Sequence, residues 1–283
     1  MTKFKENFMH GVFFTCACVS ILAVALICVF LFANGIPAMK EIGFFDFLLG
    51  KRWKPGNDIY GVLPMILGSI YVTGGAIIIG VPIGILVAVF LTHFCPKKLY
   101  KILKPSVDLL AGIPSVVYGF FGLMVIVPLI RNIFGGSGTS MLAASTVLGI
   151  MILPTIISVS ESSIRAVPES YYEGARALGA SHERSVFSAV LPAAKSGVTA
   201  GVILGIGRAI GETMAVIMVA GNQAAMPKGI LKGVRTMTAN IVLEMGYAAD
   251  LHREALIATA VILFVFILII NLSFSLIKRR GGK

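Results

Sequence analysis

Six long apolar stretches constrain this chain more than any other feature. They lie at roughly 11–33, 70–91, 109–130, 141–160, 197–220 and 255–277. A helix rises about 1.5 Å per residue and the hydrocarbon core of a bilayer is about 30 Å thick, so each stretch is long enough to cross a membrane. Because helices satisfy their own backbone hydrogen bonds where no water is available, the sequence predicts an all-α membrane protein with six transmembrane helices.

The composition leaves no room for a sizeable soluble domain. Hydrophobic residues make up 57% of the chain and charged residues 13%, whereas soluble domains carry about 25% charged residues. The first apolar stretch follows Lys3 and Lys5, as a secretion signal would. It is nevertheless longer than the apolar region of a signal, and no small-residue cleavage site follows it. We therefore expect a retained first span and one transmembrane domain over 1–283.

The net charge of +11 is distributed as in a membrane protein. Fourteen of the 24 Lys and Arg residues lie in four alternate segments: 1–10, 92–107, 161–196 and 278–283. Nine lie in the opposite segments 34–60, 131–140 and 221–254. The positive-inside rule then places both termini in the cytoplasm. This placement argues for lipid as the partner of the basic residues and against nucleic acid.

The predicted cytoplasmic loop 161–196 is too long for a plain connection between helices. Pro168 suits the first turn of a helix, and Gly179 suits its C-terminal end. Ser181 can cap a second short helix that ends before Pro192. The loop therefore predicts two short amphipathic helices across the cytoplasmic face. Their mixed charge favours docking to a protein over binding to an anionic lipid surface.

The same loop resembles the EAA signature of ABC-importer permeases, E-A-A-x3-G-x9-I-x-L-P. Glu173-Gly174-Ala175 is followed at the signature spacing by Gly179 and by Leu191-Pro192, with Gly174 in place of the middle Ala and Ala189 where Ile is usual. The resemblance implies a type I ABC-importer permease architecture with a cytoplasmic coupling helix. The residues that it assigns to ATPase coupling are Glu173, Gly174, Ala175, Leu178 and Gly179.

Three further segments are similar to phosphate importer permeases, namely AGIPSVVYGFFGL at 111–123, RALGASHERSVFSAVLPAA at 176–194 and GRAIGETMAVIMVAGN at 207–222. The stretch WKPGNDIYGVLPMILGSIYVT resembles the PstC type of subunit, and the resemblance covers essentially the whole chain. It implies a multi-pass subunit of a bacterial inner (plasma) membrane. The implied partners are a PstA-type second permease subunit, two PstB-type ATPase subunits and a periplasmic phosphate-binding protein of the PstS type.

The fifth stretch carries two charges at mid-membrane, Arg208 and Glu212. A charged residue at that depth costs about 2.5–3.5 kcal/mol on insertion scales. An ion pair that locks the helix is one explanation, although Arg before Glu is the poorer order for a helical pair. The alternative is a polar path in which Arg208 binds an anion while Glu212 positions the arginine. We favour the path, because the guanidinium group matches the oxygens of phosphate.

Other residues are weaker candidates for the same path. Thr213, Tyr118 and Ser115 offer neutral hydrogen-bonding groups along it.

Gly197, Gly201 and Gly205 are spaced by four, and small residues at that spacing let membrane helices approach closely. We therefore expect the fifth helix at the centre of the bundle.

The sequence contains no G-x4-G-K-[ST] phosphate-binding loop, so ATP and Mg²⁺ are expected on the partner ATPase. We expect no cofactor, no metal site and no catalytic residue in this chain, which makes it a transport subunit. Two other functions are a permease for another oxyanion and an autonomous ion-coupled secondary transporter. The long inner loop argues against the autonomous transporter.

We expect the outer loops 34–60 and 221–254 to contact the binding protein together.

Overall fold

The computed structural model describes residues 2–280, with side chains described over 5–273, and this part of the chain is almost entirely helical. Five of its helices are long and apolar enough to cross a membrane, namely Lys5–Ile42, Leu63–Phe94, Ser115–Phe134, Met141–Arg165 and Asp250–Ser273. A bent pair, His182–Ala193 and Lys195–Gly211, makes a sixth crossing if the two helices are counted as one span. The predicted all-α membrane fold is confirmed, with six crossings on that count.

Most of the helices follow one another with short connections, and the longest connection, 220–236, joins α12 to α13. In chain order they are α1 (Thr2–Ile42), α2 (Phe44–Leu49), α3 (Leu63–Val89), α4 (Lys97–Gly112), α5 (Ser115–Phe121), α6 (Val127–Phe134), α7 (Met141–Arg165), α8 (Glu169–Ala177), α9 (His182–Ser185), α10 (Leu191–Ala193), α11 (Lys195–Gly211), α12 (Met214–Val219), α13 (Met237–Met245) and α14 (Asp250–Arg280). Wider π turns at Phe90–Phe94, Gly122–Ile126 and Val186–Val190 continue α3, join α5 to α6 and join α9 to α10. Between α2 and α3, strands β1 (Trp53–Lys54) and β2 (Ile59–Tyr60) form an antiparallel hairpin.

Two predicted boundaries differ clearly from the structure, and a proline explains the first difference. The third crossing begins at Ser115, not at 109, because Ile113 leaves the helical conformation just before Pro114. A proline disfavours the helical conformation of the residue before it. Residues 97–112 form the separate helix α4 instead. The predicted loop 161–196 is also too long by five residues, since α7 continues to Arg165.

The centre of the fold is a tight cluster in which α7 packs against both α3 and α11. The glycines predicted to permit close approach do so. A Cβ atom added at Gly197, Gly201 or Gly205 would collide with or crowd the side chains of three α7 residues, which are Ser163, Val159 and Ile156. On α3, a Cβ at Gly80 would lie 2.7 Å from the carbonyl oxygen of Gly149. Small residues therefore set the helix spacing at the core.

At the end of the bundle opposite α8, a second core joins the hairpin to α13 and α14. Its centre is Glu244, which is 6% exposed. The Glu244 carboxylate accepts hydrogen bonds from Trp53 Nε1 at 2.8 Å and from Arg235, and it contacts His252 Nε2 at 2.8 Å. These contacts bring the loops 34–60 and 221–254 into one packed unit.

The core predicts different outcomes for two glycines on α3. Gly80→Ala places a Cβ against the backbone of α7, and overpacking of this kind costs about 1–3 kcal/mol. Gly74→Ala meets no atom within 4 Å and gains up to about 1 kcal/mol of helix propensity. Thermal unfolding of the two purified variants checks the difference. Equal stability of the two proteins would contradict the close α3–α7 contact.

Candidate functional site

The predicted fifth span, 197–220, which we call the broken crossing, is interrupted between its two mid-membrane charges. The helix α11 ends at Gly211, Glu212 is extended with φ −68° and ψ 134°, and α12 begins at Met214. Arg208 and Glu212 are therefore not one turn apart on a continuous helix. The sequence prediction of an unbroken span over 197–220 is wrong at this point. Interrupted helices in membranes line cavities or are buried in protein, because their freed backbone groups need partners.

The Glu212 side chain stabilises this break and does not hold Arg208. Its Oε1 accepts a hydrogen bond from the backbone N–H of Ala215 at 3.1 Å, which caps the first turn of α12. The hydroxyl of Thr238 on α13 donates to the Glu212 carbonyl at 3.0 Å. Among the ion pairs of the described residues, none joins Arg208 to Glu212. The expectation that Glu212 positions the guanidinium is thus not met in this conformation.

Arg208 lies in the last turn of α11, where the negative end of the helix dipole favours a cation. The side chain is half-buried, and its Nη1 lies 3.5 Å from Thr155 Oγ1 on α7. The neutral hydroxyl of Thr155 does not offset the positive charge of Arg208. Among the described residues Arg208 makes no ion pair, and a guanidinium in this position beside a broken helix suits a transient anion.

The weaker path candidates lie on elements that adjoin the break. Tyr118 on α5 is 6% exposed, and its hydroxyl donates to the carbonyl of Leu110 at 2.8 Å. Ser115, half-buried, begins α5, which packs on α12. Thr213 lies in the break itself and donates to the Gly211 carbonyl at 3.2 Å. In this state the Tyr118 and Thr213 hydroxyls bond backbone carbonyls, and both serve the local structure.

The second candidate site is the predicted coupling loop 161–196, and its predicted pair of short helices is confirmed. Gly179 ends the first helix with a left-handed φ of +84°, and the Ser181 hydroxyl caps α9 by accepting from the N–H of Arg184. The second helix does not end before Pro192. It continues through the π turn to Ala193 and then bends by 71° into α11. The coupling segment is therefore joined to the broken crossing without an intervening loop.

The outer face of α8 is open to solvent. Glu173, Gly174 and Leu178 are exposed, and Leu178 is 91% exposed. Ala175 is half-buried, and a Cβ at Gly174 would meet no atom within 4 Å. We call this surface, defined by Glu173, Gly174, Leu178 and Gly179, the coupling surface. Single exposed apolar residues are common on proteins, so the assignment of this surface to docking rests on its resemblance to the EAA signature.

Sequence reasoning missed a buried carboxylate on α7. Glu161 is 3% exposed. It pairs with Lys104 Nζ at 3.1 Å and with Arg165 Nε at 3.0 Å, and it accepts a hydrogen bond from Tyr100 at 2.7 Å. Lys104 also pairs with Asp108 in the last turns of α4. This network attaches α4 to α7, and its only signal in the sequence was an acidic residue at the end of an apolar stretch.

The same network shifts the pKa values of its α4 members. Burial alone would lower the pKa of Lys104, but hydrogen bonds to Asp108 and Glu161 outweigh it and raise that pKa above its ordinary value. The hydrogen bond to Glu161 raises the pKa of the Tyr100 hydroxyl, and burial adds to the effect. Lys104 therefore stays charged, and it is a structural residue as well as part of the basic segment 92–107.

A membrane bundle with one broken crossing, a charge at the break and an exposed helix pair at one end is the architecture of a transport subunit. The chain belongs to the family of binding-protein-dependent transport system inner membrane components, whose model matches residues 80–282. It is 39% identical over 267 residues to the probable ABC transporter permease protein YqgH of Bacillus subtilis, covering 90% of this chain and 86% of the relative.

A second relative is the phosphate transport system permease protein PstC of Mesorhizobium japonicum. The two are 35% identical over 261 residues, which cover 85% of this chain and 80% of that protein. Among solved structures, an inward-facing form of the MetNI methionine ABC transporter matches with a TM-score of 0.64 at 20% identity, over 82% of this chain and 100% of that one. The structural match shows the fold alone. The chain is a transport subunit and not an enzyme.

The buried network predicts unequal effects for two lysines on α4. Lys104→Met removes one of the two cations that pair with Glu161, and leaving a buried group under-paired costs about 1–3 kcal/mol. Lys101→Met, on the exposed side of the same helix, is the matched control and is expected to change stability little. Unfolding of both purified variants in detergent measures the difference. Similar midpoints would show that the Glu161 network contributes nothing.

Proposed function

We propose that the chain is the permease subunit of an ATP-driven phosphate importer, paired with a second, PstA-type permease subunit. The observation that carries this proposal is the Arg208 guanidinium, half-buried at a helix break with a hydroxyl as its neighbour. A planar guanidinium offers two parallel donors to phosphate oxygens. The name of the Mesorhizobium japonicum relative supports phosphate as the anion.

The coupling surface supports ATP binding outside this chain. The sequence has no P-loop, so PstB-type ATPase subunits would hold ATP and Mg²⁺ and receive Leu178 in a cleft. Because α9 and α10 lead directly into α11, a displacement of the coupling surface reaches the helix that carries Arg208. Alternate opening of the broken crossing to the two sides would then move the anion.

Two further surfaces suit the remaining partners. Residues 5–34 of α1 contain no buried side chain, which leaves an apolar face for lipid or for the second permease subunit. The unit around Glu244 is at the end opposite α8, where a periplasmic PstS-type phosphate-binding protein would dock. This assignment makes the coupling surface and both basic termini cytoplasmic, in agreement with the positive-inside rule.

The first test is phosphate uptake by cells that carry Arg208→Gln as the sole copy. We expect uptake to fall at least about tenfold, because a single charge-assisted contact in a desolvated site is worth about 1.5–3 kcal/mol. Arg208→Lys keeps the charge but not the two-donor geometry, so it is expected to be intermediate. Co-purification of the ATPase shows whether the complex is intact. Normal uptake with Arg208→Gln would exclude this residue from the path.

The coupling surface is tested by Leu178→Asp, which replaces an exposed apolar contact with a charge. We expect weaker co-purification of the ATPase and a matching loss of transport, with no change in the stability of the isolated chain. Gly174→Ala is the control, because the position is open and alanine restores the usual EAA residue. Full ATPase binding by the Leu178→Asp variant would contradict docking at this surface.

A further inference from the structure

Four ring side chains fill the joint between the coupling helix and the second crossing. Tyr172 lies on α8 and His182 on α9, whereas His93 and Phe94 lie in the π turn that ends Leu63–Phe94. The buried cluster at this end of the bundle includes Val186 and Val190. Tyr172 and Phe94 pack against this cluster. We call this group of four rings the ring joint.

Hydrogen bonds run through the ring joint from α8 to the second crossing. His182 Nε2 lies 3.2 Å from the carbonyl oxygen of His93, and His182 Nδ1 lies 2.8 Å from the Tyr172 hydroxyl. A carbonyl only accepts, so Nε2 carries the proton, and in the neutral ring Nδ1 accepts from Tyr172. The His93 carbonyl is in the last turn of its helix, where carbonyls lack intrahelical partners. His182 thus caps the second crossing and is itself held by α8.

Ring packing makes the same link rigid. The rings of His93 and Tyr172 stack with centroids 6.1 Å apart, and His182 packs edge-on against Phe94 at 4.8 Å. The neighbouring Tyr171 points away and is 52% exposed. Apolar contacts alone allow surfaces to slide, whereas hydrogen bonds weaken steeply when their geometry changes. A displacement of α8 therefore displaces the end of α3 as well.

We propose that Tyr172 and His182 are positioning residues that transmit movement of the coupling helix to the end of the second crossing. This inference rests on the proposed function, since it takes α8 to be the element that an ATPase moves. It adds a second route from the coupling surface into the membrane, beside the direct connection through α10 to α11. The two routes reach α3 and α11, which both pack against α7 and also contact each other.

Cys95 provides a probe of this movement. It follows Phe94 directly, is half-exposed, and remains the sole thiol after Cys16→Ser, Cys18→Ser and Cys28→Ser. The permease is labelled at Cys95 with an environment-sensitive fluorophore before assembly of the full importer in liposomes. The ATP-dependent fluorescence change is recorded together with radiolabelled inorganic phosphate transported per ATP hydrolysed. The variants are Tyr172→Phe and His182→Phe, with Tyr171→Phe as the matched control.

We expect both joint variants to assemble with the ATPase and to hydrolyse ATP. The fluorescence change and the phosphate carried per ATP should fall by about threefold to tenfold, as for the loss of one or two ordinary hydrogen bonds. Tyr171→Phe should match the unmodified protein. Wild-type values for both readouts in the Tyr172→Phe and His182→Phe variants would overturn the inference, as would loss of ATPase assembly in both.

The two proposals fail in different ways. If the unmodified importer gives the ATP-dependent Cys95 signal but moves no phosphate, the proposed substrate is wrong, and the fluorescence comparison still tests the joint. If phosphate transport is normal and insensitive to Tyr172→Phe and His182→Phe, the joint is wrong and the proposed function stands. If the His182→Phe variant alone fails to fold, Tyr172→Phe still tests the joint, because this substitution removes a single oxygen atom.

Discussion

The interruption of a membrane helix at Glu212 is the feature on which the candidate site depends. Backbone groups freed inside a bilayer find no water, so they need partners from the protein. Here the Glu212 carboxylate caps α12 and Thr238 satisfies the Glu212 carbonyl. The carboxylate bonds the backbone, and among the ion pairs of the described residues it makes none with Arg208. Glu212 is costly to place in the membrane, but its side chain stabilises the break. In the proposed path, this break leaves Arg208 available to an anion.

The two ends of the bundle are held by a different device, which is a buried carboxylate with several donors. Glu161 joins α4 to α7 at the coupling end, and Glu244 joins the hairpin, α13 and α14 at the other end. Each pairs with a cation and accepts further hydrogen bonds, as buried charges in proteins generally do. Between them, the glycine contacts of α7 with α3 and α11 set the helix spacing in the core.

The sequence was informative where one residue type determines the local outcome. Gly179 and Ser181 correctly predicted the turn and the cap of the helix pair, and Gly197, Gly201 and Gly205 correctly predicted the close helix contact. It was uninformative where the outcome depends on distant partners. The break at Glu212 requires Thr238, and the burial of Glu161 requires Tyr100 and Lys104. No local pattern in an apolar stretch reveals partners that are 26 or 61 residues away.

The exposed surfaces of the chain differ in what can cover them. The apolar side chains of α1 at 5–34 are compatible with lipid as well as with another membrane helix. Leu178 is different, because it is surrounded by the charged residues of a short helix and cannot enter the hydrocarbon without them. A partner protein is the environment that accommodates both the leucine and the charges. Leu178 and the charges around it therefore suit docking to a partner protein, in agreement with the family to which the chain belongs.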